Sequence, residues 1–169
     1  AFRKVSPKTR MGLQTGADRT QLTRIVVRAL ARETGGKVSV RLGAGSYWDL
    51  SPYVALAKSA RMVEHRRVLA LEDVTDNWCT EVESYPRAYG SRSVRSIALE
   101  SFSSIAWGFD SASLFVMDRR SEPDELYSRY LLGPLASVAK FLNGYREANC
   151  GTEPAGFTCP GLAHDDTRK

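Results

Sequence analysis

Lys37-Val38-Ser39-Val40-Arg41-Leu42 runs into Gly43-Ala44-Gly45, and Ser51-Pro52 then opens a stretch carrying Val54, Ala57, Ala60, Val63 and Val68. The hexapeptide reads as a strand, and the glycines break it. Ser51 is a helix cap, and Pro52 takes the first helical position, where a missing N–H costs nothing. The apolar stripe carries this helix to about residue 70, although Arg67-Val68-Leu69-Ala70-Leu71 is also compatible with another strand.

The same strand–helix order recurs on both sides. Upstream, Thr9-Arg10-Met11-Gly12-Leu13-Gln14 is extended and ends in Thr15-Gly16. Asp18 is placed to cap a helix whose face is Leu22, Ile25, Val26, Ala29 and Leu30, and Gly35-Gly36 ends it. Downstream, Cys79-Thr80-Glu81-Val82-Glu83-Ser84-Tyr85 is a third strand, stopped by Pro86. A polar loop leads to a helix from about Ser93 to Trp107, striped by Val94, Ile97, Ala98, Phe102, Ile105 and Ala106. Gly108-Phe109-Asp110 turns into a fourth strand, Ala112 to Met117, and a helical region from about Asp124 to Ala148 follows, divided at Pro134. The fold class is therefore α/β: four successive strand–helix units making a parallel sheet. Closure as an open α/β sandwich and as half of a (β/α)8 barrel both fit. One domain over residues 1–148 and a Gly/Pro-rich, then charged, tail over 149–169 complete the organisation.

Composition bounds the function. A chain of 169 residues with 43% hydrophobic and 25% charged residues builds one core. It is short of the roughly 250 residues of a complete eight-stranded barrel. No apolar run nears the ~18 residues of a membrane span, so no membrane role is expected. Ala1-Phe2-Arg3-Lys4 begins without Met and without an apolar stretch behind it, so it reads as neither an intact start nor a signal peptide. Residues 1–41 hold ten Lys/Arg against two acids, net +8, while the remainder is net −3. Arg24, Arg28 and Arg32 recur at i,i+4 and read as a solvated helix face. No recognition motif accompanies that charge, and nucleic acid is not an expected partner. Cys79, Cys150 and Cys159, with His65 and His164, match no metal spacing, so neither a metal nor another cofactor is implied. Cys150 and Cys159 are able to bridge in an oxidising compartment, with free thiols the default. His65, among Glu64, Arg66 and Arg67, reads as solvated, and Met11, Met62 and Met117 as core.

In a parallel α/β array chemistry collects at the carboxyl ends of the strands. Gly43-Ala44-Gly45 lacks a following Lys-Ser/Thr and fails the dinucleotide spacing at Trp48, so it is a poor phosphate loop. Behind it stand Tyr47, Trp48 and Asp49, two aromatic platforms suited to sugar rings and a carboxylate suited to hydroxyls. The plainer reading is that the rings cap the core and Asp49 helps start the helix. Glu81 and Glu83 fall on one face of the third strand, with Val82 opposite. A carboxylate at such a strand end suits a nucleophile or general acid. On an edge strand the same pair merely faces water. Arg87, Arg92 and Arg95 lie near enough in sequence to be their ion-pair partners.

Glu81-Val82-Glu83-Ser84-Tyr85-Pro86, Ser91-Arg92-Ser93, Ala98-Leu99-Glu100 and Ala106-Trp107-Gly108-Phe109-Asp110-Ser111-Ala112-Ser113-Leu114 together resemble the final part of a β-galactosidase-type glycoside hydrolase barrel of clan A. The resemblance runs over roughly residues 9–148 and implies the strands β5 to β8 of that barrel. It implies a retaining glycoside hydrolase in which Glu83 is the nucleophile, with Glu81 the fallback, and a carbohydrate ligand. Trp48, Asp49 and Asp118 would line the sugar subsites, with Tyr47 and Arg92 as further substrate-binding residues. The second carboxylic acid, ordinarily in an Asn-Glu pair ending the fourth strand, has no counterpart before Thr9. The resemblance thus implies half a barrel, stabilised by its missing half or by self-association. Two other classes fit the residues: a non-catalytic α/β interaction domain that completes a fold with another chain or with itself, and a small α/β enzyme acting through Asp49 or Asp118 on phosphorylated ligands.

Overall fold

Glycine punctuation in the sequence becomes the joint that ends the first helix, where Gly35 takes a left-handed φ of 64°. The computed structural model describes residues 10–16, 19–43, 52–85, 91–116 and 125–149. Along them run β1 (Gly12–Gly16), α1 (Thr20–Thr34), β2 (Val38–Gly43), α2 (Pro52–Leu69), β3 (Thr75–Glu83), α3 (Val94–Ala106) and β4 (Ser111–Phe115). A short helix, α4 (Glu125–Tyr127), passes through a π-turn at Ser128–Leu132 into α5 (Gly133–Ala148). The π-turn lies just before Pro134, whose missing N–H and bulky ring forbid an ordinary helical turn there.

The strands form one parallel sheet of four, ordered β1-β2-β3-β4. Because sheet order follows chain order without reversal, successive crossovers of one hand lay the helices on the same face. Val38, Val40 and Leu42 of β2 and Trp78 of β3 meet Val27 and Ala31 of α1 and Met62 and Leu69 of α2 in one cluster. Val82, Ile97, Val116 and Leu135 form a second on the same face. This arrangement is consistent with half of a (β/α)8 barrel. The opposite face carries Gln14, Ser39, Arg41, Asn77, Cys79, Glu81, Glu83, Ser111, Ser113 and Phe115, by the alternation of each strand. Truncating the fully buried Leu42 to Ala would cost about 2–5 kcal/mol, since the packed helices cannot collapse into the space.

The helix faces depart from the expected stripes. In α1 the buried residues are Thr23, Val27, Ala31 and Thr34, whereas Leu22 is 52% and Ile25 66% exposed. Two sets of polar contacts fix this rotation. Thr23 Oγ1 meets Thr15 Oγ1 of β1 at 2.5 Å. Arg24 donates to the carbonyls of Val68 (2.6 Å) and Leu69 (3.2 Å), and Arg28 to that of Ala70 (3.2 Å) and to Asp73 (2.8 Å). The two arginines therefore satisfy the orphan carbonyls at the end of α2, where cations are favoured by the helix dipole, rather than forming a purely solvated face. The Arg28 hydrogen bond holds the exposed Asp73 carboxyl below its usual range. Arg32 stays exposed.

In α2 the buried face is Ala55, Lys58, Ser59, Met62, His65 and Leu69, and in α3 it is Ile97, Glu100, Ser101, Ser103 and Ser104. Ser59 and Ser104 share a 3.1 Å hydroxyl contact where these helices touch. His65 is 8% exposed, with Nε2 3.4 Å from Thr20 Oγ1, so it is an interior residue and not a solvated one. Met62 and Met11 join the core as expected. Arg19, without a side-chain cap bond, holds the N-cap of α1. Asp18, Met117, Cys150 and Cys159 lie outside the described residues. Segment ends move slightly: β3 starts at Thr75, four residues before the expected Cys79, and β4 ends at Phe115. The earlier start of β3 follows from Trp78, whose N–H donates to Asp110 Oδ2 (2.8 Å), and from Asn77, bonded to Ser39 Oγ (2.7 Å) and Ser111 Oγ (3.0 Å) across the sheet.

Candidate functional site

β3 is the longest strand, and its carboxyl end outlasts its neighbour. The last β2–β3 pair is Leu42–Thr80. Beyond it the carbonyls of Glu81 and Glu83 take their hydrogen bonds from side chains. Lys58 Nζ of α2 donates to Glu81 O (2.9 Å), and Arg92 Nη1, just before α3, donates to Glu83 O (3.1 Å). Glu100 of α3 bridges the two cations, 2.6 Å from Lys58 Nζ and 2.8 Å from Arg92 Nη1. Arg92 Nη2 donates to Ser96 Oγ (2.8 Å). On the other edge, the Ser84 N–H donates to Phe115 O (3.0 Å), so the strand end is held from both sides.

This clamp is buried. Lys58, Arg92 and Glu100 side chains are 1%, 2% and 2% exposed. Each charge loses several kcal/mol of hydration on burial, so the arrangement survives by mutual pairing and carbonyl contacts. Burial pushes the Lys58 ammonium pKa below its ordinary 10.5, while the Glu100 carboxylate pulls it back upward. Ser93 caps α3 by accepting from the Ser96 N–H (3.1 Å), which sets the phase that turns Glu100 inward.

The side chains of Glu81 and Glu83 share the face opposite the helices, as the alternation predicts, and the residues are 8% and 6% exposed. They are therefore not on a water-facing rim. Glu81 pairs with Arg41 of β2 at 2.8 Å, and Arg41 also donates to Gln14 of β1 at 2.7 Å, a row crossing three strands. One partner of Glu81 thus comes from the neighbouring strand. Arg92 is directed to Glu100, and Arg95 is exposed on α3. Tyr47, Trp48, Asp49, Arg87 and Asp118 lie outside the described residues. Among the described residues no His/Cys/Asp/Glu group is arranged to hold a metal, and no helix is long and apolar enough to cross a membrane.

Sequence reading missed Lys58 and Glu100. Both sit on helix faces that scoring by apolar content rotates away from the sheet. The signal that finds them is positional: Ala55, Lys58, Ser59, Met62 and Leu69 are one face of α2, a Lys surrounded by core positions. The chain matches no protein-family model, no curated protein and no solved structure.

Proposed function

We propose that this chain is the C-terminal half of the barrel of a retaining glycoside hydrolase and that Glu83 is its nucleophile. The observation carrying the reading is the pair Glu81 and Glu83 on the sheet face opposite the described helices, at the carboxyl end of β3, on a backbone anchored by two buried cations. Glu81, tied to Arg41, holds the row in place. Glu83, at the strand's last position, attacks the anomeric carbon and forms the glycosyl–enzyme ester. The acid that protonates the leaving oxygen must stand about 5–5.5 Å away and comes from another part of the barrel. Tyr47 and Trp48 would stack on sugar rings, and Asp49 and Asp118 would accept from hydroxyls. Arg92, directed at Glu83 O and Glu100, serves as a positioning residue.

The test is aryl glycoside hydrolysis by the full-length parent. Glu83→Gln should lower kcat by at least about 10³-fold, the scale on which loss of a reacting nucleophile registers, and Glu81→Gln by less. Undiminished turnover by Glu83→Gln ends the assignment.

A second reading, an α/β domain that completes its fold with another chain or a second copy, is favoured by the lateral edges. β1 and β4 end the sheet, and Leu22 and Ile25 on α1, Leu114 on β4 and Phe141 on α5 are exposed beside them. A monomer by light scattering, with no partner captured, removes it.

A further inference from the structure

β1 and β4 bound the sheet, and among the described residues neither is paired on its outer side. The Ser39 N–H donates to the Met11 carbonyl (3.0 Å), which sets Leu13 and Thr15 to bond β2 as well. In a parallel ladder the alternate residues turn the other way, so Gly12, Gln14 and Gly16 present their backbone groups along the open edge. β1 and β4 are both five residues long. Neither carries the proline, lysine or bulge that ordinarily guards an exposed edge.

The surroundings of both edges favour enclosure. Beside β1, the exposed Leu22 and Ile25 continue through the half-buried Val26 and Ala29 as one apolar stripe on α1. Beside β4, Leu114 is exposed on the helix side of the sheet, where a following strand would cover it. Parallel sheets are ordinarily covered on both faces, and the described helices cover one. On the other face, side chains bond to one another across strands: Asn77 to Ser39 (2.7 Å) and Ser111 (3.0 Å), and Arg41 to Gln14 (2.7 Å) and Glu81 (2.8 Å). Polar groups already paired in this way lose little when water leaves.

We propose that a second copy of this chain closes the barrel, with β4 of each copy pairing in parallel with β1 of the other about a two-fold axis along the barrel. The seam continues an interface the chain already contains. Each strand takes its successor on the same side, β2 on β1, β3 on β2 and β4 on β3, and a second copy's β1 on β4 repeats that step. Two copies bring eight strands, the number at which such a parallel array shuts. Closure therefore stops at the dimer and leaves no edge, and one chain supplies both sides of the seam. The proposal rests on the second reading above and deepens it by naming the partner and the strands that meet. Both polar faces then line one interior, with a Glu83 from each copy at its mouth.

The experiment is sedimentation velocity and amide hydrogen exchange on the full chain over a range of concentration. The wild type should reach twice the monomer mass and stop there, with the Gln14 backbone N–H protected in the dimer and open in the monomer. Gln14→Pro removes an N–H that β2 does not use and should weaken the dimer at least about tenfold, the worth of one hydrogen bond. Gln14→Ala loses the same contact to Arg41 but keeps the N–H, and should leave the dimer intact. Leu114→Lys should weaken it from the other strand. A monomer at every concentration, or a mass that grows beyond two copies, overturns the closure. So does a dimer that Gln14→Pro and Leu114→Lys leave unchanged, or one that Gln14→Ala weakens as much as Gln14→Pro. A dimer joined elsewhere leaves the broader reading standing, whereas a monomer that also captures no other chain removes both.

Discussion

Ala70 has φ 48°, the left-handed conformation in which α2 ends, where helices ordinarily place glycine. Its counterpart at the end of α1 is Gly35, with φ 64°. An L-residue with a Cβ is strained in this region by about 1–2 kcal/mol, so Ala70→Gly should raise stability by roughly 1 kcal/mol, after the entropy that glycine adds to the unfolded chain. Urea unfolding measures it, and an unchanged or lowered midpoint counts against the strain. Lys58 gives a prediction in pH. Its folded pKa lies below 10.5, so between that lowered value and 10.5 the unfolded chain binds the extra proton. Stability from this group therefore rises with pH through that window. Relative to a Lys58→Met variant, the wild-type chain should gain urea resistance between neutral pH and pH near 10. A relative loss would place the lysine pKa above its ordinary value.

At the scale of elements, the order of strands and helices was legible because punctuation carries it. Gly35-Gly36 and Pro52 mark backbone requirements that no packing detail overrides. Period two on β3 likewise placed Glu81 and Glu83 on one face. The helix faces were not legible. Counting apolar residues assumes that a buried face sheds only apolar surface, but α2 and α3 meet through Ser59, Ser104, Lys58 and Glu100. Arg24 and Arg28 rotate α1 likewise, by reaching for carbonyls that no periodicity displays. Tyr47, Trp48, Asp49 and Asp118 fall outside the described residues and add nothing to this comparison. The clamp makes its own prediction: Glu100→Gln should destabilise the chain by about 3–5 kcal/mol, because two buried cations then lack a counter-charge. The double variant Lys58→Met/Glu100→Gln should recover part of that loss. Equal stability of Glu100→Gln and the wild type would show the clamp to be solvated.

At the scale of the whole molecule, among the described residues one face of the sheet carries the helices and the other a mostly polar row, ending where Glu83 stands beside Phe115. Such a layout is suited to a wall of something larger. Exposed Ile25, 66% accessible on α1, and Phe141, 60% on α5, stand at opposite lateral borders. If those borders meet other protein, Ile25→Lys should shift the chain toward monomer in light scattering while leaving its unfolding midpoint nearly unchanged, whereas Phe141, whose ring lies 6.0 Å from that of Phe102, also packs α5 on α3. A drop in the midpoint with no change in mass would make Ile25 part of the chain's own stability.

The ionic bridge also imposes a chronology on folding. Arg92 and Glu100 are a local pair flanking the first turns of α3, whereas Lys58 reaches Glu81 across 23 positions of chain. The neutral local couple can assemble early, inside a nascent helix. The ammonium has to arrive afterwards, giving up its water in the last step, so the tip of the third strand should be the final part of the sheet to acquire protection from hydrogen exchange.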